Sequence, residues 1–450
     1  MSLTGSLSAY VPTALMPAFR NRSALAGSIL FPASGDLITL ETLIVETAAI
    51  GMEASGAVDT AAGNTALKLS VTSPDGETEL ARLEGDIGSV TVSALQVQAE
   101  LSGAIGNPQW TLNGQARRSS AGPDTMSGLR ITGASQPAGN SGSGFAVNLS
   151  TALESSRSAA WMQSLRGPAE ASITGSYGSG QPLVVRSAQL TVPAGRAGVS
   201  GSLRPADGIF DLDVDARLSR LRTGITQIDR LLSDPTTLTG KVTRSTPDAP
   251  LGLTGLTLSS PALSTKLDGS LGDETMDLRT EGKLSDLSRL AETAGGAIEF
   301  TAGLSGDIGS PEISANATGN AVTLSGKPFE DPSLKFTGVL DPSAPSGNFA
   351  LSGRYAGSPV TAAFTLDHQP DGTRILRSLE AEVARARLSG ELRLPPDNRP
   401  EGQLDFDAPD LAGLGDFLLL ELDGTLNGSI QVRPDGASSR AAIRANGSQI

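Results

Sequence analysis

Hydrophobic and polar residues alternate along most of the chain with a period of two. Leu212 and Val214 alternate with aspartates on either side, and a longer series of the same kind runs from Leu418 to Val432. Turn signals such as Asp75-Gly76 separate the alternating stretches. Strands of this kind are typical of antiparallel sheets with one apolar and one polar face, so the pattern predicts an all-β fold.

A few segments have an apolar spacing closer to that of a helix than to that of a strand. Short helices are therefore predicted at residues 152–165, 218–232, 284–290 and 410–416. The stretch 119–144 is rich in Ser and Gly and is predicted to be a loop or a weak boundary. Residues 1–20 are predicted to form a separate N-terminal segment, followed by one continuous repetitive region over 21–450.

A short repeat recurs along the chain. Leu101–Pro108 and Leu304–Pro311 agree at six of eight positions, and shorter copies occur at Leu83–Gly88 and Leu267–Gly272. Because residues i, i+2 and i+4 of a strand share a face, the Gly of each copy is predicted to lie on the apolar face. Gly weakens a strand interior, so its presence needs a reason. It either forms a bend or an open notch for close packing, or belongs to a corner or bulge of an ordinary closed core.

Composition excludes several classes of function. The 450 residues include 53 Gly, no Cys and a single His, which is His368. Disulfide frameworks, cysteine zinc sites and metal sites with two histidines are therefore impossible. The net charge of -14 argues against a nucleic-acid partner, because binding phosphates requires a basic surface.

No motif for catalysis, a metal or a cofactor stands out, so none of the three is predicted. The alternating Asp211, Asp213 and Asp215 resemble the start of a calcium loop but lack the Gly and Glu that such a loop requires. They are interpreted as the solvent face of a strand. No apolar stretch reaches the length of a membrane span, and the first residues lack the features of a signal peptide. The chain is predicted to be cytosolic or an internal piece of a longer protein.

Three consecutive pieces of the repeat carry a resemblance to a known family. They are Leu284–Leu290, Gly295–Gly306 and Ile308–Ser314, in the order short helix, strand, turn and strand. This style resembles the TamB group of AsmA-like proteins. The resemblance implies a long curled β-sheet with a few short helices (a β-taco), open along one side, with an apolar groove inside.

The resemblance also implies a function. Such proteins are thought to bridge the periplasm of diderm bacteria and to pass phospholipids between the inner and outer membranes, and TamB is linked to outer-membrane protein assembly with a barrel partner. Members usually carry an N-terminal inner-membrane anchor and a C-terminal docking domain. Neither is visible in this sequence, so we expect an internal fragment of a periplasmic protein that is tethered to the inner membrane at full length.

The expected role is a non-enzymatic lipid conduit whose ligands are phospholipid acyl chains. Exposing a lipid tail to water costs about 0.8 kcal/mol per CH₂, so movement across water needs a continuous apolar lining rather than one pocket. The residues predicted to line the groove are Val90, Val92, Leu101, Ile105, Phe210, Leu212, Val214, Leu267, Leu271, Leu278, Leu304, Ile308, Phe364, Leu420, Leu422, Leu426 and Ile430.

Two other classes of protein stay open. A structural or adhesive β-solenoid of a surface or secreted protein would also be rich in strands, but it should show one regular short period and a closed interior. A β-sandwich or β-helix enzyme would need a recognisable catalytic site, and the sequence offers none.

Overall fold

The computed structural model describes residues 2–5, 13–19, 23–32, 35–83, 88–138, 142–155, 163–178, 180–219, 222–232, 235–341, 344–418, 423–435 and 438–448. The chain divides into two compact units. Unit 1 comprises Met1–Asp229 and Ser245–Pro247, and unit 2 comprises Arg230–Arg244 and Asp248–Ile450.

Unit 1 is built from an antiparallel sheet. Its strands are β1 (Ser2–Gly5), β2 (Ser23–Leu30), β3 (Leu37–Glu46), β4 (Gly51–Asp59), β5 (Asn64–Thr72), β6 (Thr78–Arg82), β7 (Ser89–Ser93), β8 (Gln96–Ala104), β9 (Gln109–Ala121), β10 (Asp124–Ala138), β11 (Gly142–Ser155), β12 (Gly167–Tyr177), β13 (Leu183–Val192), β14 (Gly195–Arg204) and β15 (Ile209–Leu218).

Unit 2 has the same construction. Its strands are β16 (Thr236–Arg244), β17 (Leu251–Ser259), β18 (Leu263–Leu271), β19 (Thr275–Leu284), β20 (Ala294–Asp307), β21 (Glu312–Leu324), β22 (Lys327–Val339), β23 (Ser346–Tyr355), β24 (Ser358–His368), β25 (Arg374–Val383), β26 (Ala386–Leu394), β27 (Glu401–Ala408), β28 (Thr425–Asp435) and β29 (Ser438–Ser448).

Within each unit the strands follow one another as a meander. In unit 2 every strand pairs with its neighbours in the sequence, from β16 to β29. Unit 1 has one exception, the β6–β7 hairpin. Strand β5 pairs directly with β8, and β7 pairs with the far end of β9 instead.

The sheets are open. Over the described residues, β1 does not pair with β15, and β16 does not pair with β29. Register shifts, for example in the β17–β18 and β22–β23 ladders, mark irregularities of the kind produced by β-bulges, which bend strands and increase their twist. The predicted fold class, all-β with an open sheet and a few short helices, is confirmed.

Helical segments in the described part of the chain are short. They are two 3-10 helices (Thr13–Phe19 and Leu287–Arg289), α1 (Thr226–Leu231) and α2 (Leu411–Leu418). The ends of the strands lie along two opposite sides of each sheet. We call the side where the 3-10 helix lies the helical edge. The opposite side, which in unit 1 contains the turns from β4 to β5 and from β8 to β9, is called the turn edge.

Fully buried hydrophobic residues concentrate at the helical edge. In unit 2, one cluster consists of Val322, Phe329, Tyr355 and Val360, and Leu287 of the 3-10 helix packs against it. In unit 1, the first 3-10 helix packs in a similar way against residues of the β3–β4 turn. The closed core of each unit therefore runs along one edge of its sheet.

The Ser- and Gly-rich stretch 119–144 is not a loop, and this prediction was wrong. Strand β9 ends at Ala121, β10 follows after two residues, and β11 begins at Gly142. Small polar residues have a weak preference for strands. Here the hydrogen-bond ladders to two neighbouring strands outweigh that preference.

Two of the predicted helices are replaced in part by strands. Strand β15 continues to Leu218, and among the described residues of the predicted 218–232 only Thr226–Leu231 is α-helical. Strand β11 runs to Ser155 and replaces the start of the helix predicted at 152–165, while residues 156–162 of that prediction lie outside the described residues. In both cases the apolar spacing was compatible with either structure, and pairing with the adjacent strand favoured the extended one.

The other two predicted helices are present. Leu287–Arg289 is a single 3-10 turn, and α2 covers most of the segment predicted at 410–416. The alternating series predicted from Leu418 begins too early, because Leu418 is the last residue of α2 and β28 begins only at Thr425. Leu420 and Leu422 lie outside the described residues.

Gly201, in the looser copy of the repeat at Val199–Leu203, shows why a strand can need Gly in its interior. It lies in β14 with φ of 139°, in a region that other residues rarely adopt, and an added Cβ would lie 2.1 Å from the carbonyl oxygen of Asp211. Gly269, in another copy of the pattern, has φ of 140° and would bring a Cβ within 2.0 Å of the Asp277 carbonyl oxygen. At these positions the neighbouring backbone occupies the space of the side chain.

We expect Gly201→Ala to lower the free energy of local opening of β14 and β15 by about 2–3 kcal/mol, since it combines a strained φ with a backbone clash. Hydrogen exchange of the amides in these two strands measures the change. Gly76→Ala is the matched control, because a Cβ there meets no atom within 4 Å. Equal protection of these amides from exchange in the two variants would show that the position of Gly201 does not require Gly.

Candidate functional site: the apolar sheet face

Continuous apolar rows cross the strands of each unit. Residues directly opposite each other in an antiparallel ladder point to the same face, so the register traces each row from strand to strand. In unit 1, row 1 is Gly27, Leu43, Ala54, Leu69, Ala99, Leu112, Gly133, Val147, Ile173, Ala188, Val199 and Val214. Row 2 is Leu25, Val45, Met52, Val71, Val97, Gly114, Ile131, Leu149, Ala171, Leu190, Ala197 and Ala216.

Unit 2 has equivalent rows over all of its strands. Row 3 is Val242, Leu253, Gly269, Leu278, Leu304, Ile313, Gly338, Gly347, Leu366, Leu376, Leu392, Gly402, Val432 and Ala441. Row 4 contains one hydroxyl and comprises Leu238, Leu258, Thr265, Gly282, Phe300, Ala317, Leu334, Leu351, Ala362, Ala381, Leu388, Phe406, Gly428 and Ala445.

The opposite face is polar from β4 to β15. Between rows 1 and 2 of unit 1, the intervening positions form the series Glu53, Ser70, Gln98, Asn113, Thr132, Asn148, Ser172, Gln189, Gly198 and Asp215. The sheet of this unit therefore has two chemically distinct faces, and the division between them is kept from β4 to β15.

The apolar rows do not form a filled core. Most row residues are half-buried, and Ile173 and Leu190 are 39% and 41% exposed. A side chain that is packed between two layers, such as Ala18 of the helical edge, is 5% exposed. The rows therefore lie on a face that remains open to solvent away from the helical edge.

Aromatic rings cover several glycines of the apolar face. A Cβ on Gly282 would lie 2.6 Å from Cζ of Phe300, and a Cβ on Gly428 would lie 2.8 Å from Cζ of Phe406. Each ring belongs to the strand next to its Gly. At these glycines the ring from the adjacent strand occupies the space that a side chain would fill. These positions are therefore covered by a ring and are not open gaps in the apolar face.

The predicted lining residues fall into three groups: residues in strands, Ile105 and Ile308 in turns, and Leu420 and Leu422, which lie outside the described residues. Most lie in strands and are half-buried, namely Val90, Leu101, Phe210, Leu212, Val214, Leu267, Leu271, Leu278, Leu304, Phe364, Leu426 and Ile430, while Val92 in β7 is 6% exposed. Val214 belongs to row 1, and Leu278 and Leu304 belong to row 3. Their contact with a lipid stays a prediction.

Ile105 and Ile308 are placed differently from expectation. Both lie in turns and are 47% and 37% exposed. The amide of Ile105 donates to the Gly63 carbonyl at 2.8 Å, and that of Ile308 donates to the Glu274 carbonyl at 2.9 Å. The two best copies of the repeat therefore describe the end of a strand and its turn, and the period-two argument does not extend to their Ile.

An aromatic cluster on unit 1 was not found from the sequence. The indole Nε1 of Trp110 donates to the hydroxyl of Tyr177 at 3.2 Å, and the rings of Phe145 and Tyr177 are tilted with centroids 6.2 Å apart. The Trp110 ring also lies against Gly133 of β10. Trp110 and Tyr177 are separated by two intervening strands, so only the register could have brought them together.

A depression on the polar face of unit 2 contains two lysines that are already paired with carboxylates. One depression of about 570 Å³ is lined by residues including Lys266, Glu281 and Lys283. However, Lys266 Nζ lies 2.8 Å from Asp268 Oδ2, and Lys283 Nζ lies 3.4 Å from Glu299 Oε1. Both ammonium groups therefore already have a carboxylate partner.

Asp268 has a structural role. Its side chain accepts a hydrogen bond from the amide of Gly255 at 2.6 Å, at the irregularity in β17. The hydrogen bond from Lys266 lowers the pKa of Asp268, and the Gly255 amide lowers it further. The carboxylate therefore holds the irregular β17–β18 ladder in place.

Comparisons with known proteins assign no family. The chain matches no protein-family model and no curated protein sequence. None of the helices that the structure describes is long and apolar enough to cross a membrane. In the described ranges, no group of three or more acidic or His side chains could hold a metal ion.

The close fit between neighbouring members of one row can be tested at Gly114 and Ile131 of row 2. A Cβ on Gly114 would lie 2.7 Å from the Cγ2 methyl of Ile131, whereas the nearest backbone atom is 3.8 Å away. Gly114→Ala should therefore destabilise the protein by about 1 kcal/mol or more, and adding Ile131→Ala should cancel part of that loss. Urea unfolding of the two single variants and the double variant measures the coupling. Purely additive effects would show that the two residues do not compete for space.

Proposed function

We propose that the chain is a section of a non-enzymatic bridge that carries phospholipids across the periplasm, with acyl chains held on its apolar face. The observation that carries the proposal is the continuity of rows 1 to 4. Each row passes through every long strand of its unit, and only Thr265 brings a polar side chain into any of them. A ligand on this face meets apolar surface from one strand to the next.

The energetics favour a long hydrophobic ligand. Two acyl chains of ~15 carbons would cost roughly 20 kcal/mol to expose fully to water, so a lipid can move only where apolar contact is continuous. Soluble monomers rarely expose apolar patches larger than a few hundred Å² without a binding role. An open face of half-buried rows provides continuous apolar contact for a lipid. A binding role in turn explains why so much apolar surface is exposed.

The distribution of burial also supports an open conduit over a closed solenoid. A solenoid encloses its apolar residues, whereas the fully buried clusters of each unit lie mainly along the helical edge. In this proposal the full-length protein is tethered to the inner membrane and reaches an outer-membrane barrel partner through segments outside this sequence. A role in outer-membrane protein assembly belongs to the same proposal.

Purified protein should contain bound phospholipid, because the apolar face is open in both units. Mass spectrometry of solvent extracts, with a control extract from a soluble protein purified in parallel, measures it. If repeated preparations of folded protein contain no phospholipid in their extracts, the proposal is wrong.

The two faces of β15 provide a matched pair of variants. We expect Val214→Asp to reduce lipid carriage by roughly ten-fold or more, because it removes an apolar contact worth about 1.5 kcal/mol and places a carboxylate in row 1. Asp213→Val, on the polar face, should change carriage little. A lipid-transfer assay on both variants, after circular dichroism shows equal folding, checks the difference. Equal effects would argue against the assigned apolar face.

A further inference from the structure

The two edges of the unit 1 sheet differ in a way that would orient an amphiphile. At the helical edge, Ala18, Ala49, Ile50, Ala116 and Ala194 are all less than 9% exposed. At the turn edge, large hydrophobic side chains reach solvent in several turns and strand ends. They include Phe31 at 70%, Leu37 at 44% and Ile105 at 47% exposed. Small apolar side chains are therefore packed at the helical edge, although Leu15 and Met16 of the 3-10 helix are 43% and 37% exposed there, and large apolar side chains are exposed at the turn edge.

The cluster of Trp110, Phe145 and Tyr177 lies at the turn edge. Trp110 is the second residue of β9, and Tyr177 is the last residue of β12. Trp and Tyr combine an apolar ring with a polar group and favour positions where one end is dry and the other wet. The pair formed by Trp110 Nε1 and the Tyr177 hydroxyl places hydrogen-bonding groups on an otherwise apolar face.

The distance from Trp110 to the buried Ala116, in the interior of β9, matches the length of an acyl chain. From Trp110 to the buried Ala116, β9 advances six residues, which is roughly 20 Å in a strand. Leu112 of row 1 and Gly114 of row 2 lie between them on the same face. One leaflet of a bilayer holds its hydrocarbon in about 15 Å, half of the ~30 Å core. An acyl chain that lies along the strands therefore fits between the aromatic cluster and the level of Ala116.

A charged pair on the helical edge does not compete for the headgroup. Arg118 Nη2 lies 3.7 Å from Glu154 Oε2, so its charge already faces a carboxylate. The Trp110 and Tyr177 pair carries no net charge, so it suits the ester and glycerol oxygens that all phospholipids share.

We infer that a phospholipid bound to unit 1 lies along the strands, with its acyl chains towards the helical edge and its ester region beside Trp110 and Tyr177. Trp110 and Tyr177 are then positioning residues that fix the level of the polar end as the lipid passes from strand to strand. The inference rests on the proposed function, and it adds the orientation of the ligand.

Tryptophan fluorescence tests this orientation. Trp161→Phe leaves Trp110 as the single Trp of the full chain, since the sequence has two. The protein is loaded with phosphatidylcholine that is brominated either close to the ester groups or close to the terminal methyl. We expect the ester-proximal bromines to quench Trp110 more strongly than the terminal ones. Equal or reversed quenching would overturn the orientation and leave the conduit itself standing.

A second reporter supplies the matched control. Phe19 packs against the buried cluster of the helical edge. Phe19→Trp in a chain that also carries Trp110→Phe and Trp161→Phe should show the opposite order, with terminal bromines quenching more. The same order for both reporters would contradict the inference. If neither lipid quenches either reporter and extracts contain no phospholipid, the proposed function fails together with it.

A nitroxide on the phosphatidylcholine headgroup gives an independent reading of the same geometry. It should quench Trp110 more than the Phe19→Trp reporter. Tyr177→Phe, which removes the hydroxyl acceptor and keeps the ring, should reduce the difference between the two brominated lipids at Trp110. An unchanged difference would show that the Tyr177 hydroxyl does not position the polar end.

Discussion

The pairing register is the constraint on which the rest of the structure depends. Side chains alternate between the faces of a strand, so a slip of one residue between two strands would exchange apolar and polar positions in every later strand. Rows 1 to 4 exist only because the register is kept, and at Gly201 and Gly269 the neighbouring backbone lies too close for any side chain. Gly at these strand-interior positions therefore allows the close approach of the paired strand.

The apolar face is stabilised differently from an ordinary core. Hydrogen-bond ladders and cross-strand contacts, such as the stacked rings of Phe349 and Phe364 at 4.8 Å, support it from within the sheet. In unit 2 a second packed layer forms at the helical edge, where the half-buried Leu287 lies against the buried cluster of Val322, Phe329, Tyr355 and Val360. A fold of this kind keeps a large hydrophobic surface available because its stability does not require covering that surface.

The sequence predicted the strands and the two faces well because alternation is a local property. Leu212 and Val214 could be assigned to one face from their spacing alone. Features that depend on pairing were missed: the small residues of 119–144 become strands through their neighbours, and Trp110 meets Tyr177 across two strands. The turn positions of Ile105 and Ile308 were missed because a repeat shows that a unit recurs without showing where its strand ends.

The β6–β7 hairpin illustrates how a protein of this construction can change in length. The hairpin lies between β5 and β8 in the sequence, yet Leu69 and Ala99 pair directly and row 1 passes from β5 to β8 as though the hairpin were absent. Two added strands return the chain to the edge from which it left, so the direction and face of all later strands are preserved. A single added strand would reverse them. The chain could therefore gain or lose a hairpin with no change to the order of the strands that carry the apolar rows.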